Sequence, residues 1–120
     1  MDTVELKLRT KQFAIRIIRL IESLPKTISG RTIGNQLIRS GTSVAANYRA
    51  ACRARSRNEF IAKIGIVIEE SDESVFWLEM IIETKLLKES LVQSILKEAN
   101  ELTAIMVASS NSAQKNKKKT

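Results

Sequence analysis

A chain of 120 residues with 43% hydrophobic but only 4% aromatic residues is expected to be one domain with an aliphatic core. A single cysteine excludes an intrachain disulfide, and the absence of histidine removes the commonest general base near neutral pH. The net charge of +7 is held unevenly: residues 1–57 carry +9, residues 58–108 carry −6, and residues 109–120 add four lysines. Such a chain can pair its halves, within or between subunits, or show its basic surplus to a polyanion.

From Thr3 to Leu24 apolar residues recur at Val4, Leu8, Ile15, Ile18 and Ile21 or Leu24, with Phe13, Ile17 and Leu20 beside them. The spacing predicts a helix, ended by Pro25 because its ring disfavours helical geometry at the residue before it. Residues 25–32 read as a loop. A second helix is expected from Thr32 or Ile33 to about Cys52 or Ala54, with its stripe at Leu37, Gly41, Val44, Tyr48 and Ala51. Next to that stripe runs a row of small polar side chains, Gln36, Ser40, Ser43 and Asn47. Gly41 costs roughly 1 kcal/mol of helix stability against alanine, so close packing is expected there.

Arg53 to Arg57 form a basic turn. Ser56 and Glu59 then have the spacing of a capping box, which opens a third helix from Asn58 to about Thr84, roughly 40 Å long. Its stripe is Phe60 or Ile61, Ile64, Val67 or Ile68, Ser71, Val75, Leu78 and Ile82. Phe76 and Trp77 lie beside the stripe, an apolar excess that predicts burial by a second subunit as well as by the bundle. Gly65 is expected at a close helix approach. A fourth helix capped by Glu89 or Ser90 carries Leu91, Ile95, Ala99 or Glu98, Leu102 and Met106 to about Ala108. The lysine-rich remainder, 109–120, offers almost nothing apolar to bury and is expected to be disordered. The simplest closure is all-α: an antiparallel up-down four-helix bundle over 1–108 with a basic tail. No segment reaches the ~18 apolar residues of a membrane span and no signal peptide shows, so a cytoplasmic protein is expected.

Chemistry has few candidates. Cys52 lacks a histidine partner and sits within a helix, where an inert thiol is the ordinary finding. Glu69 and Glu73 share a helix face and could grip a metal, but a di-iron bundle site needs histidines; pairing of the acids Glu69, Glu70, Asp72 and Glu73 with arginines of the second helix is the competing reading. The expectation is a protein without catalytic residues, metal or cofactor. Arg49, Arg53, Arg55 and Arg57, with Lys115, Lys117, Lys118 and Lys119, are the candidates for nucleic-acid phosphate, since guanidinium is planar and always charged. For Arg39 and Arg49 an ion pair with Glu69 or Glu73 inside the bundle competes equally. Ser40, Ser43 and Asn47 are expected to bond partners within the helix pair, or else to line a subunit contact or pore.

Taken in order, Gln36-Leu37-Ile38-Arg39-Ser40, Ser43-Val44-Ala45-Ala46-Asn47, Arg55-Ser56, Glu59-Phe60-Ile61-Ala62-Lys63, Glu70-Ser71 with Glu73, and Trp77-Leu78-Glu79 resemble one family. It comprises the bacterial four-helix-bundle proteins encoded in intervening sequences of large-subunit rRNA genes, also labelled ribosomal-protein-like. Leu24-Pro25-Lys26 fits its first loop, and the likeness spans roughly residues 13–100. The resemblance implies a ring-like homopentamer. It also brings in a related protein, the accessory variability determinant of diversity-generating retroelements, a basic pentamer that binds nucleic acid and a reverse transcriptase. Many members carry Glu-Gly soon after the asparagine, where this chain has Tyr48-Arg49-Ala50. The expected function is therefore a non-enzymatic oligomer binding RNA or DNA through a basic surface. The alternative is an interaction scaffold for an acidic protein partner such as a reverse transcriptase.

Overall fold

Four helices make up the fold: α1 (Thr3–Glu22), α2 (Ile28–Cys52), α3 (Arg57–Glu83) and α4 (Glu89–Lys119). The computed structural model describes residues 1–119, with side chains through Asn116. Each helix packs on its neighbours in sequence and α4 returns to α1, so α1 and α3 are diagonal, as are α2 and α4. The bundle is a rod of 52 × 21 × 20 Å.

Side-chain caps set the helix starts. Asp2 accepts from the Glu5 N–H at 2.8 Å, Thr27 Oγ1 from Gly30 at 3.1 Å, and Ser56 Oγ from Glu59 at 3.0 Å. The Thr27 cap starts α2 at Ile28, four residues earlier than the sequence reading has it. Gly30 is required there: a Cβ would lie 2.0 Å from the Pro25 carbonyl oxygen. At the end of α3, Lys85 takes the left-handed conformation (φ 59°). The Lys85 N–H bonds the Ile82 carbonyl at 3.0 Å and the Leu86 N–H that of Ile81 at 3.1 Å, a Schellman turn.

The α2 stripe is the heart of the core: Leu37, Gly41, Val44, Tyr48 and Ala51 are all buried. Gly41 lets α1 approach, for a Cβ there would stand 2.9 Å from Ile17. Gly65 makes no such approach, since nothing lies within 4 Å of its would-be Cβ. Its position faces away from α2 and α4.

On α1 the buried residues are Leu6, Thr10, Phe13, Ala14 and Ile17. Of the stripe read from the sequence, Leu24 and the flanking Phe13 and Ile17 are buried, but Val4, Leu8, Ile15 and Ile18 face outward, 73%, 56%, 39% and 36% exposed. This helix carries apolar residues on two faces, and spacing does not tell which one a neighbour covers. Smaller shifts put Ile81 and Val92 into the core in place of Ile82 and Leu91. The last helix also runs on past Ala108 to Lys119. Neither glycine nor proline interrupts residues 109–119, Ser110 is buried, and Gln114 donates to its hydroxyl at 3.1 Å. Lysines in a last turn also suit the helix dipole. Thr120 lies outside the described residues.

Hydroxyls cross-link the core. Ser40 Oγ and Ser74 Oγ are 2.9 Å apart between α2 and α3, and Thr103 donates to Ser71 at 2.9 Å between α4 and α3. Each also reaches a backbone carbonyl in its own helix, so these buried groups are satisfied.

Candidate functional site

The residues singled out on α2 and α3 divide into structural and surface groups. Arg39 Nη1 lies 3.2 Å from a Glu70 oxygen, Arg39 Nη2 contacts Glu73, and Trp77 Nε1 donates to the same Glu73 carboxylate at 3.1 Å. The ion-pair reading therefore holds for Arg39, Glu70 and Glu73. The Glu73 hydrogen bond, followed by the charges of Glu70 and Glu73, raises the Arg39 pKa further above its ordinary value. Among the described residues no three metal-ligating side chains gather. Asn47 donates to the Ser43 carbonyl at 3.0 Å, while Gln36 and Phe60 are half-buried. Phe76 is 50% exposed and meets Trp77 edge-on at 4.8 Å.

Cys52 is half-buried in the last turn of α2, beside Tyr48. Burial, reinforced by that thiol, pushes the Tyr48 phenol up from its ordinary pKa, so it stays neutral. On the opposite seam, Arg9 grips Glu98 with two bonds of 2.7 and 2.6 Å and reaches Glu101 at 2.6 Å. The Arg9 hydrogen bond holds the Glu98 carboxyl below its ordinary value, against the opposing effect of burial.

Arg49 takes the other course from Arg39. It is exposed, and with Lys7, Lys11 and Arg53 it lines a groove of about 510 Å³ between α1 and α2. Leu8, Thr42, Ala45 and Ala46 complete the lining, which contains no acid. The two lysines escape the sequence reading because α1 and α2 meet only in the fold; their i, i+4 spacing on the outer face of α1 is the one local signal.

The other candidates sit at one end of the rod. Arg55 is exposed, its side chain 92% accessible, and its Nε lies 3.9 Å from a Glu59 carboxylate oxygen. Arg57 opens α3. Lys115 lies twelve residues beyond Thr103, and Arg57 lies fourteen before its partner Ser71, about 18 and 21 Å in the same direction at 1.5 Å per residue. The basic turn and the end of α4 thus share one end of the bundle. The side chains of Lys117, Lys118 and Lys119 lie outside the described residues.

A family model for 23S rRNA-intervening sequence proteins matches residues 3–108. The chain belongs to that family. A crystal structure of a protein of the S23 ribosomal protein family from Bacteroides thetaiotaomicron, titled as having unknown function, is similar to it. The two are 32% identical with a TM-score of 0.78, and the match covers 86% of this chain and 95% of that one. No curated protein matches. Of the motif residues, Ser56 caps α3, Ser40 and Ser71 are buried core hydroxyls, and Asn47 bonds the Ser43 carbonyl within α2. Among the described residues no helix is long and apolar enough to cross a membrane.

Proposed function

We propose that this member of the 23S rRNA-intervening sequence protein family is a non-enzymatic, self-associating bundle that binds RNA or other nucleic acid at its basic end. The observation that carries the reading is the convergence of Arg53, Arg55 and Arg57 with the lysine-bearing end of α4. Exposed guanidinium groups contact phosphates without base readout, so binding is salt-dependent and weakly selective. The described aromatic side chains sit on α1, α2 and α3, away from a base-stacking array, which favours backbone contact over stacking. The ring-like homopentamer that the family resemblance implies would repeat the basic end around an axis and strengthen binding by multivalency. Titrating a labelled RNA hairpin at low salt tests the proposal, with Arg55→Gln/Lys115→Gln expected to weaken binding.

The second reading is a scaffold for an acidic protein partner such as a reverse transcriptase. The apolar floor of the α1/α2 groove favours it, because phosphates gain nothing from Leu8, Ala45 and Ala46. A partner retained after ribonuclease treatment in a pull-down would support that reading.

A further inference from the structure

Helix α1 carries two apolar faces, and the bundle uses one of them. The face left outside holds Val4, Leu8, Ile15 and Ile18 in solvent, branched aliphatic side chains strung along about 21 Å of helix. Beside it on α2, Ile38 is also exposed and lies four residues before Thr42 of the groove lining, which Ala45 and Ala46 extend. Lys7, Lys11, Arg49 and Arg53 line that groove without an acid, and Arg19, four residues after Ile15, is exposed on the other flank of the strip. The only acids within α1 are Glu5 and Glu22, near its two ends, and α2 has none.

The far side of the rod has the opposite character. Helix α3 is diagonal to α1, and its outward face exposes Glu69, Asp72, Glu79 and Glu83. Cations with aliphatic side chains thus lie on one side of the rod and carboxylates on the other. An anionic surface attracts the first and repels the second, which selects one orientation. A nucleic-acid backbone satisfies the cations but leaves the aliphatic strip in water. An acidic helix of another protein, seated in the groove, still leaves Val4, Ile15 and Ile18 outside the groove lining. A phospholipid surface satisfies both features, headgroup phosphates meeting the lysines and arginines while the aliphatic side chains enter the acyl boundary. The strip protrudes, with Val4 and Leu8 its most exposed members, so a flat bilayer reaches it.

We infer that the α1/α2 face docks peripherally on an anionic phospholipid bilayer, with the rod lying along the surface and the outward face of α3 turned to solvent. Among the described residues no helix is long and apolar enough to cross a membrane, so attachment stops at the headgroups and the upper acyl region. Helix α1 serves as an interfacial amphipathic helix whose depth is limited by the bundle behind it. Arg55 and the lysine-bearing end of α4 lie at one end of the rod rather than along this face, and Arg53 stands where the two surfaces meet. Docking therefore goes beyond the proposed function and does not depend on nucleic-acid binding.

The test is flotation of the full chain with vesicles of phosphatidylglycerol and phosphatidylcholine in equal parts, against vesicles of phosphatidylcholine alone, at low and high salt. Binding is expected to the anionic vesicles, weakened by salt, and not to the neutral ones. Two variants at exposed positions, Val4→Gln/Leu8→Gln and Lys7→Gln/Lys11→Gln, with helicity checked by circular dichroism, should each lose about tenfold in vesicle affinity. The first should keep the wild-type affinity for an RNA hairpin, which separates docking from nucleic-acid binding. No flotation with anionic vesicles at low salt would overturn the inference. So would a Val4→Gln/Leu8→Gln variant that binds them like the wild type, since adsorption would then need charge alone. A labelled acidic amphipathic peptide that binds the chain and is not displaced by anionic vesicles would assign the face to a protein partner instead. If vesicles bind and RNA does not, the proposed function falls and the docking stands.

Discussion

Ile17 of α1 rests on Gly41 of α2 so closely that a methyl group at residue 41 would sit 2.9 Å from both γ carbons of the fully buried Ile17 side chain. Gly41→Ala therefore forces a backbone shift, costing about 1–3 kcal/mol, which outweighs the roughly 1 kcal/mol that alanine adds to helix propensity. Gly65→Ala has the opposite sign, because open space surrounds that position and only the propensity gain of about 1 kcal/mol remains. Thermal unfolding of the two variants should move the midpoint down for Gly41→Ala and up for Gly65→Ala.

Lys85 holds a left-handed conformation at the end of α3 that glycine adopts without a Cβ penalty. Lys85→Gly should stabilise the protein by up to about 1 kcal/mol, a rise of about 4 °C in Tm for a chain of this size. An unchanged or lower Tm would mean that the Lys85 side chain makes a compensating contact in the loop.

The Arg9–Glu98 clamp closes α1 against α4 and should make stability depend on acid. The Glu98 carboxyl is held below its ordinary value in the folded chain, so its contribution is complete above the unfolded carboxylate range, near 4.3. It is lost as pH falls through the folded value. Glu98→Gln should cost about 1 kcal/mol at pH 7, given bidentate but partly solvated geometry. In thermal melts from pH 7 down to 3, the gap between wild type and variant should narrow. A gap that stays constant would show that the pair contributes nothing through its charge.

The sequence exposes some parts of this architecture and hides others for physical reasons. The α2 stripe is legible because its apolar residues occupy one face, flanked by glycine and small polar groups. On α1 the apolar residues occupy two faces, and the one picked by spacing, from Val4 to Ile18, turned out to be the outer one. The start of α2 was obscured by Ser29 and Gly30, which resemble loop residues until Thr27 is seen capping them. Of the site, the arginine turn could be read directly, and Arg39 resolved into an ion pair with Glu70 and Glu73. Lys7 and Lys11 could not be joined to Arg49 without knowing that α1 lies beside α2.

Arg55 and Lys115 carry the sharpest consequence of the basic end. Replacing both with glutamine should leave the fold intact, since both are exposed. The loss in affinity should be similar for unrelated RNA sequences, because phosphate contacts carry no base information.

The most direct measurement is the affinity of the wild-type chain for a labelled RNA hairpin between about 50 and 200 mM salt, plotted as log K against log salt. The account predicts binding at low salt with a steep negative slope, made shallower by roughly one for each phosphate contact that Arg55→Gln/Lys115→Gln removes. No binding at the lowest salt, or a slope that the double substitution leaves unaltered, would contradict it.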